Sequence, residues 1–252
     1  MNKKGQITIF VILGIVILAI IGLLYYAVHT QTIPNPFTSA STISVSDQVG
    51  HCLDTLGTEA LDLLGKQGGE LTPTLYQNWC VNTKECYQVN YLCYTDQLEP
   101  CVNREPFIEQ HMEQEMQLYM DQHLSDCVNP NLWKESGYTV SAGEHHSKVS
   151  IGREDVLVIV DWPLTIQKGN FVETQERFSQ TFHVPLGLLS ETAHDIVNSE
   201  ITAGDFWVVP YVTSKHGNVE IEKHLAKNSK IYIVNAFQDN YKFYFAVQGW
   251  AV

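Results

Sequence analysis

The sequence predicts an α+β chain in three parts: a single N-terminal transmembrane helix, a cysteine-rich helical segment, and an antiparallel sheet with one packed helix. Three observations carry this. No residue from Ile7 to Val28 is charged, and the first acidic residue of the chain is Asp47. All six cysteines lie between Cys52 and Cys127. Beyond Tyr138 the apolar residues change from helical spacing to alternation, the mark of strands. The expected divisions are residues 1–28 (membrane span), 29–46 (tether), 47–135 (cysteine-rich helical subdomain) and 136–252 (α+β sheet subdomain).

The first element is "KKGQITIFVILGIVILAIIGLLYYAV", Lys3 to Val28. As a helix, its uncharged part would run about 33 Å, enough for a hydrocarbon core of about 30 Å. Lipid offers the backbone no hydrogen-bond partner, so a span must be helical. Tyr25 and Tyr26 stand at the far end, where amphipathic rings favour the interface. A cleaved secretory signal has an apolar core of only about 7–15 residues and a small-residue cleavage site. "YYAVHTQTIP" supplies no such site. Lys3 and Lys4 precede the run, which predicts a cytoplasmic N-terminus and an extracellular C-terminal bulk, with lipid contact through residues 7–28.

"KKGQITIFVILGIVIL" resembles the N-termini of archaeal type IV pilin-like proteins with class III signals. The resemblance implies a peptidase cut between Gly5 and Gln6, which removes the lysines and keeps the helix. It further implies that such helices bundle into a filament core, with the chain partnering itself or other envelope proteins.

Composition narrows the partners. The chain carries 28 acidic against 15 basic residues, a net charge of −13. Two of those cations are Lys3 and Lys4, so the remainder is more acidic still. Nucleic acid and anionic lipid surfaces are polyanions and are disfavoured as partners. Cys52, Cys80, Cys86, Cys93, Cys101 and Cys127 form an even, clustered set. In an oxidising exterior this reads as a disulfide framework, with 15 possible pairings. Zinc is the competing reading, but no close C-x-x-C pair occurs.

Residues 29–46 are uncharged, rich in Ser and Thr, and contain Pro34 and Pro36, which suits an extended tether. "SDQVGHCLDTLGTEALDLLGKQGG" follows as a helix. Val49, Cys52, Leu53, Leu56, Ala60, Leu63 and Leu64 recur at helical spacing, with Ser46 or Asp47 as cap and Gly65, Gly68 and Gly69 at the end. Its "LLGKQGG" closure is similar to the same archaeal surface proteins. "YQVNYLCYT" reads as a short strand among interleaved aromatics. Tyr76, Trp79, Tyr87, Tyr91 and Tyr94 either pack in a small disulfide-rich core or offer an adhesive, sugar-stacking face. "REPFIEQHMEQEMQLYMDQHLSDC" is a second amphipathic helix with Pro106 in its first turn and Ile108, Met112, Met116, Tyr119 and Met120 inward.

The sheet region starts with "YTVSAGE" and "HSKVSIG", read as a hairpin. "DVLVIVDWPLTIQ" is a buried strand and "ERFSQTFHVPL" its partner. "SETAHDIVNSEI" is a helix capped by Ser190, with Ala193, Ile196, Val197 and Ile201 inward. "NVEIEKHL", "KIYIVNAF" and "YKFYFAVQGWAV" return to strands, the last two joined at "QDN".

Motifs for chemistry are sparse. The chain has no G-x-S-x-G, H-E-x-x-H, phosphate loop or G-x-G-x-x-G. No catalytic residue and no cofactor is assigned. The metal candidates are Glu144, His145 and His146, since imidazole and carboxylate suit zinc; His183 and His194 would have to complete such a site. Ser179 with His183 and Ser190 with His194 sit four apart, and Glu154 and Asp155 are adjacent carboxylates. The expected function is structural: a membrane-anchored, extracytoplasmic pilin-like or surface-appendage subunit. The alternatives are an accessory or receptor subunit of an envelope complex, or an envelope enzyme using a metal at His145 or His146.

Overall fold

A computed structural model describes residues 44–249, apart from 98 and 216. The helix expected over 7–28, the Gly5–Gln6 processing site and nearly all of the tether lie outside the described residues.

Helix α1 spans Val45–Lys66. Ser44 caps it, its Oγ accepting the Asp47 N–H at 3.2 Å, so Asp47 is the capped residue rather than the cap. The buried stripe is Val45, Val49, Cys52, Leu53, Leu56, Ala60, Leu61 and Leu64; Leu63 is only half-buried. Small residues continue that stripe. A Cβ on Gly57 would overlap the Phe182 ring, and one on Gly65 would sit 2.7 Å from the Lys242 carbonyl. Gly68 and Gly69, at φ +71 and +86, turn the chain away after the helix.

Strands β1 (Tyr76–Cys80) and β2 (Cys86–Tyr94) form an antiparallel hairpin, followed by the short β3 (Val102–Asn103) beside β2. Helix α2 (Ile108–Cys127) buries Ile108, Met112, Met116, Met120 and Leu124, every fourth residue. The short α3 (Pro130–Glu135) follows, capped by Asn129.

Strands β4 (Thr139–Ala142) and β5 (His146–Ile151) do not pair with each other. Both lie antiparallel along the same side of β6 (Val156–Lys168), end to end, and β7 (Phe171–Phe182) takes the other side. The break between β4 and β5 falls opposite Trp162 and Pro163, where the β6–β7 register also shifts. Proline has no N–H to donate to a ladder. Gly143 instead donates to the Pro163 carbonyl at 2.9 Å, and Trp162 Nε1 donates to the Gly143 carbonyl at 3.0 Å. "GEHH" is therefore a break in an edge strand, not a hairpin turn.

Helix α4 (Leu186–Ala203) starts four residues before the expected cap, so Ser190 lies inside it and is buried. It ends at Gly204 in the left-handed conformation. The short α5 (Val208–Ser214) leads to β8 (Val219–Ala226), β9 (Ser229–Ala236) and β10 (Lys242–Gln248), an antiparallel meander.

The fold-class expectation needs correction. Among the described residues no helix is long and apolar enough to cross a membrane. The strand expected at "YQVNYLCYT" is β2, and the segment expected to be otherwise helical also supplies β1 and β3, which pair with it. The larger sheet, ordered β1-β2-β10-β9-β8 with β3 beside β2, is mixed, since β2 runs parallel to β10. It therefore draws strands from both sides of residue 135. A second sheet, β4 to β7, stands apart from it. Helix α1 touches both sheets, through β10 and through β7, and also packs on α2.

One face of the larger sheet carries Phe243, Phe245, Val247, Tyr232 and Val234 toward the side where α1 and α4 pack. The other face holds Val89, Tyr91, Ile231, Ile233, Tyr244 and Ala246, with Trp79, Tyr87 and Tyr94 against them. Trp79 on β1 and His224 on β8 belong to opposite edges of this sheet, yet their ring centroids are 5.0 Å apart. The sheet is thus curled around that second face, and its two edges meet.

Candidate functional site

The six cysteines close three disulfides, and none is free. Cys80–Cys86 joins the ends of β1 and β2. Cys93–Cys101 ties β2 to the segment entering β3. Cys52–Cys127 ties the middle of α1 to the last residue of α2. All six sulfurs are consumed, so none is left as a metal ligand.

The expected aromatic cluster is divided. Trp79, Tyr87, Tyr91 and Tyr94 pack within the curled face, while Tyr76 is exposed. The Tyr91 hydroxyl lies 2.6 Å from Ser229 Oγ, a bond that links β2 to β9 across β10.

Glu144, His145 and His146 take separate roles. Glu144 and His146 are exposed. His145 lies against Trp162 with ring centroids 5.1 Å apart and planes tilted by 51°, and its Nε2 is 3.0 Å from the Asp121 carbonyl, which requires the proton on Nε2. Asp121 also accepts the Ser147 N–H at 2.7 Å. This group docks the broken edge strand onto α2. Ser179 and His183 are both exposed, and Glu154 and Asp155 occupy the turn between β5 and β6.

Ser190 lines a cleft of about 460 Å³ between the start of α2 and α4, with Glu109, Glu113 and His194. Its hydroxyl is 2.9 Å from both Glu109 Oε1 and the Gly187 carbonyl. The proton is thus held by a carboxylate and a backbone oxygen rather than by His194.

A buried charge cluster lies where α4 meets β9. Lys230 Nζ reaches Glu200 Oε2 (2.8 Å), the Gly204 carbonyl (2.8 Å) and Asp205 Oδ1 (3.0 Å). Tyr232 donates to the other Glu200 oxygen, and Lys223 pairs with Asp205. Burial pushes the Tyr232 hydroxyl pKa up, and the Glu200 carboxylate adds to that. Burial alone would raise Asp205, but hydrogen bonds from Lys223 and Lys230 outweigh it and hold the carboxyl at about 2.

A further group was not singled out in the sequence. One ligand-capable atom each of Glu70, Glu105 and His111 lies within 4.8 Å of the others, and all three residues are half-buried. Glu70 is on the loop after α1, Glu105 is on the connection from β3 to α2, and His111 is in the first turn of α2. Burial raises the Glu70 pKa; His111 opposes this, while Glu105 and Glu115 reinforce it. No spacing motif could have announced the group, because Glu70 lies 35 residues before Glu105.

These features define a disulfide-stapled, acidic α+β protein. No known protein family, no curated protein and no solved structure matches the chain.

Proposed function

We propose that the chain is a structural protein of the cell surface, working outside the cytoplasm through contacts with copies of itself or with other envelope components. The observation that carries this reading is the disulfide framework, in which all six cysteines are paired. Disulfides of this density belong to oxidising compartments. The resemblance of the first residues to pilin-like proteins supports a surface-appendage subunit starting at Gln6. Phe107, Trp207 and Val209, exposed by 73%, 74% and 76%, add apolar contact points on the described part.

The test is the intact mass of the native protein, measured without reductant in sheared surface material, in membranes and in cytosol. The expected result is a chain starting at Gln6 in the sheared fraction, lighter than the reduced chain by the six hydrogens of three disulfides. A reduced chain confined to the cytosol overturns the proposal. An oxidised chain starting at Met1 and held only in membranes replaces the appendage subunit with an accessory subunit.

A further inference from the structure

We propose that Glu70, Glu105 and His111 bind one divalent transition-metal ion of the zinc class. The inference stands on the geometry of this cluster and is independent of the surface-protein reading.

The donor set comes first. Two carboxylates and an imidazole suit borderline ions such as zinc, whereas calcium and magnesium prefer oxygen alone. Spacing comes second. Zinc with ligands at about 2.0–2.2 Å sets neighbouring donor atoms roughly 3.3–3.6 Å apart. The three atoms here lie within 4.8 Å of one another, so small side-chain movements bring them onto one ion. Three protein ligands leave a fourth position for water, an open site.

The imidazole supplies a separate observation. His111 Nδ1 is 3.8 Å from Glu105 Oε2, beyond hydrogen-bonding range. Its Nε2 is buried with no partner among the described residues. No hydrogen bond engages either ring nitrogen among the described residues, and Nδ1, the one that approaches Glu105, is the nitrogen offered to the ion.

The supports around the cluster are fixed before any ion arrives. Glu115 Oε2 accepts the Leu71 N–H at 3.0 Å, holding the backbone next to Glu70. Asn103 Oδ1 accepts the Glu105 N–H at 3.0 Å. The His111 N–H bonds the Phe107 carbonyl at 3.0 Å within α2. Gly69 lets the loop lie against Met112, where a Cβ would come within 3.2 Å of Cγ. The Cys93–Cys101 disulfide anchors the chain just ahead of Glu105. A dication would also offset the charge of Glu70, Glu105 and Glu115 around a single imidazole.

The test uses the full chain, purified without reductant and stripped with EDTA. Zinc is titrated by calorimetry, and cobalt(II) is followed by its visible absorption. The expected result is one equivalent bound, with Glu70→Gln and His111→Gln each weakening affinity by about 100-fold or more, beyond the 10–100-fold typical of outer-sphere changes. His146→Gln is expected to bind as the unaltered chain does. Circular dichroism checks that each variant is folded; if His111→Gln is not, Glu70→Gln and Glu105→Gln carry the comparison. Absence of saturable zinc binding, or binding undiminished in the folded variants, overturns the site.

Discussion

Lys230 shows how one side chain settles a neighbourhood. It offsets a carboxylate, Glu200, that is only 2% exposed, and it also bonds a helix-terminal carbonyl. Removing one partner of a buried ion pair strands the other and costs about 3–5 kcal/mol. Lys230→Met is therefore expected to lose stability on that scale in urea unfolding, and Glu200→Gln in the same chain is expected to recover part of it. Asp205 makes a pH prediction. Its folded-state pKa is lowered from 3.8 to about 2. Its contribution is thus complete above about pH 4 and lost as pH falls toward 2, because the unfolded state then binds the proton first. Asp205→Asn is expected to flatten the acid limb of a stability–pH curve between those limits and to leave its slope above pH 5 unchanged. The cluster joins residues 200, 205, 223, 230 and 232. Helical spacing from Ala193 through Ile196 and Val197 puts Glu200 on the buried face, but its charge argued for water, since an acidic residue in an amphipathic helix ordinarily faces solvent.

At the scale of elements, α1 carries the central packing. Gly57 lies against the Phe182 ring, and Phe182 is itself buried. Alanine normally gains about 1 kcal/mol over glycine inside a helix. Here the added methyl overpacks the contact with β7, which typically costs about 1–3 kcal/mol. Gly57→Ala is expected to lower the melting temperature, whereas Gly50→Ala, whose Cβ would meet nothing within 4 Å, is expected to raise it. Helices α1 and α2 were legible because their apolar residues repeat at helical spacing over more than four turns. The shorter pieces were not. Strand β1 is five residues with only alternating half-burial, and its identity comes from pairing with β2. The expected β4–β5 hairpin failed because Pro163 and Trp162, some twenty residues away, decide where that edge strand breaks.

At the scale of the molecule, the three disulfides differ in reach. Cys80–Cys86 and Cys93–Cys101 close short loops, while Cys52–Cys127 closes one of 75 residues. On the chain-entropy account such a loop contributes about 4.5 kcal/mol, against roughly 2–2.5 kcal/mol for the short ones. The paired substitution Cys52→Ser with Cys127→Ser is expected to lower the urea midpoint more than loss of either local bond. The cysteine framework was legible as a set, but its pairing was not, because fifteen pairings fit the same count. The Glu70–Glu105–His111 cluster was invisible for a related reason: tertiary packing, not spacing, brings its members together. The placement of β10 carries one more consequence, for the order in which the chain folds. Every cysteine precedes residue 128, yet β2 is sandwiched in its sheet by a strand that begins at Lys242. Oxidation of the first half can therefore be complete while its sheet still lacks the neighbour it needs. Trp79 meets His224 only once that neighbour is in place. Long-range closure of this kind is slow, so slow burial of Trp79 on refolding of the oxidised chain, followed by stopped-flow fluorescence, is the expected outcome.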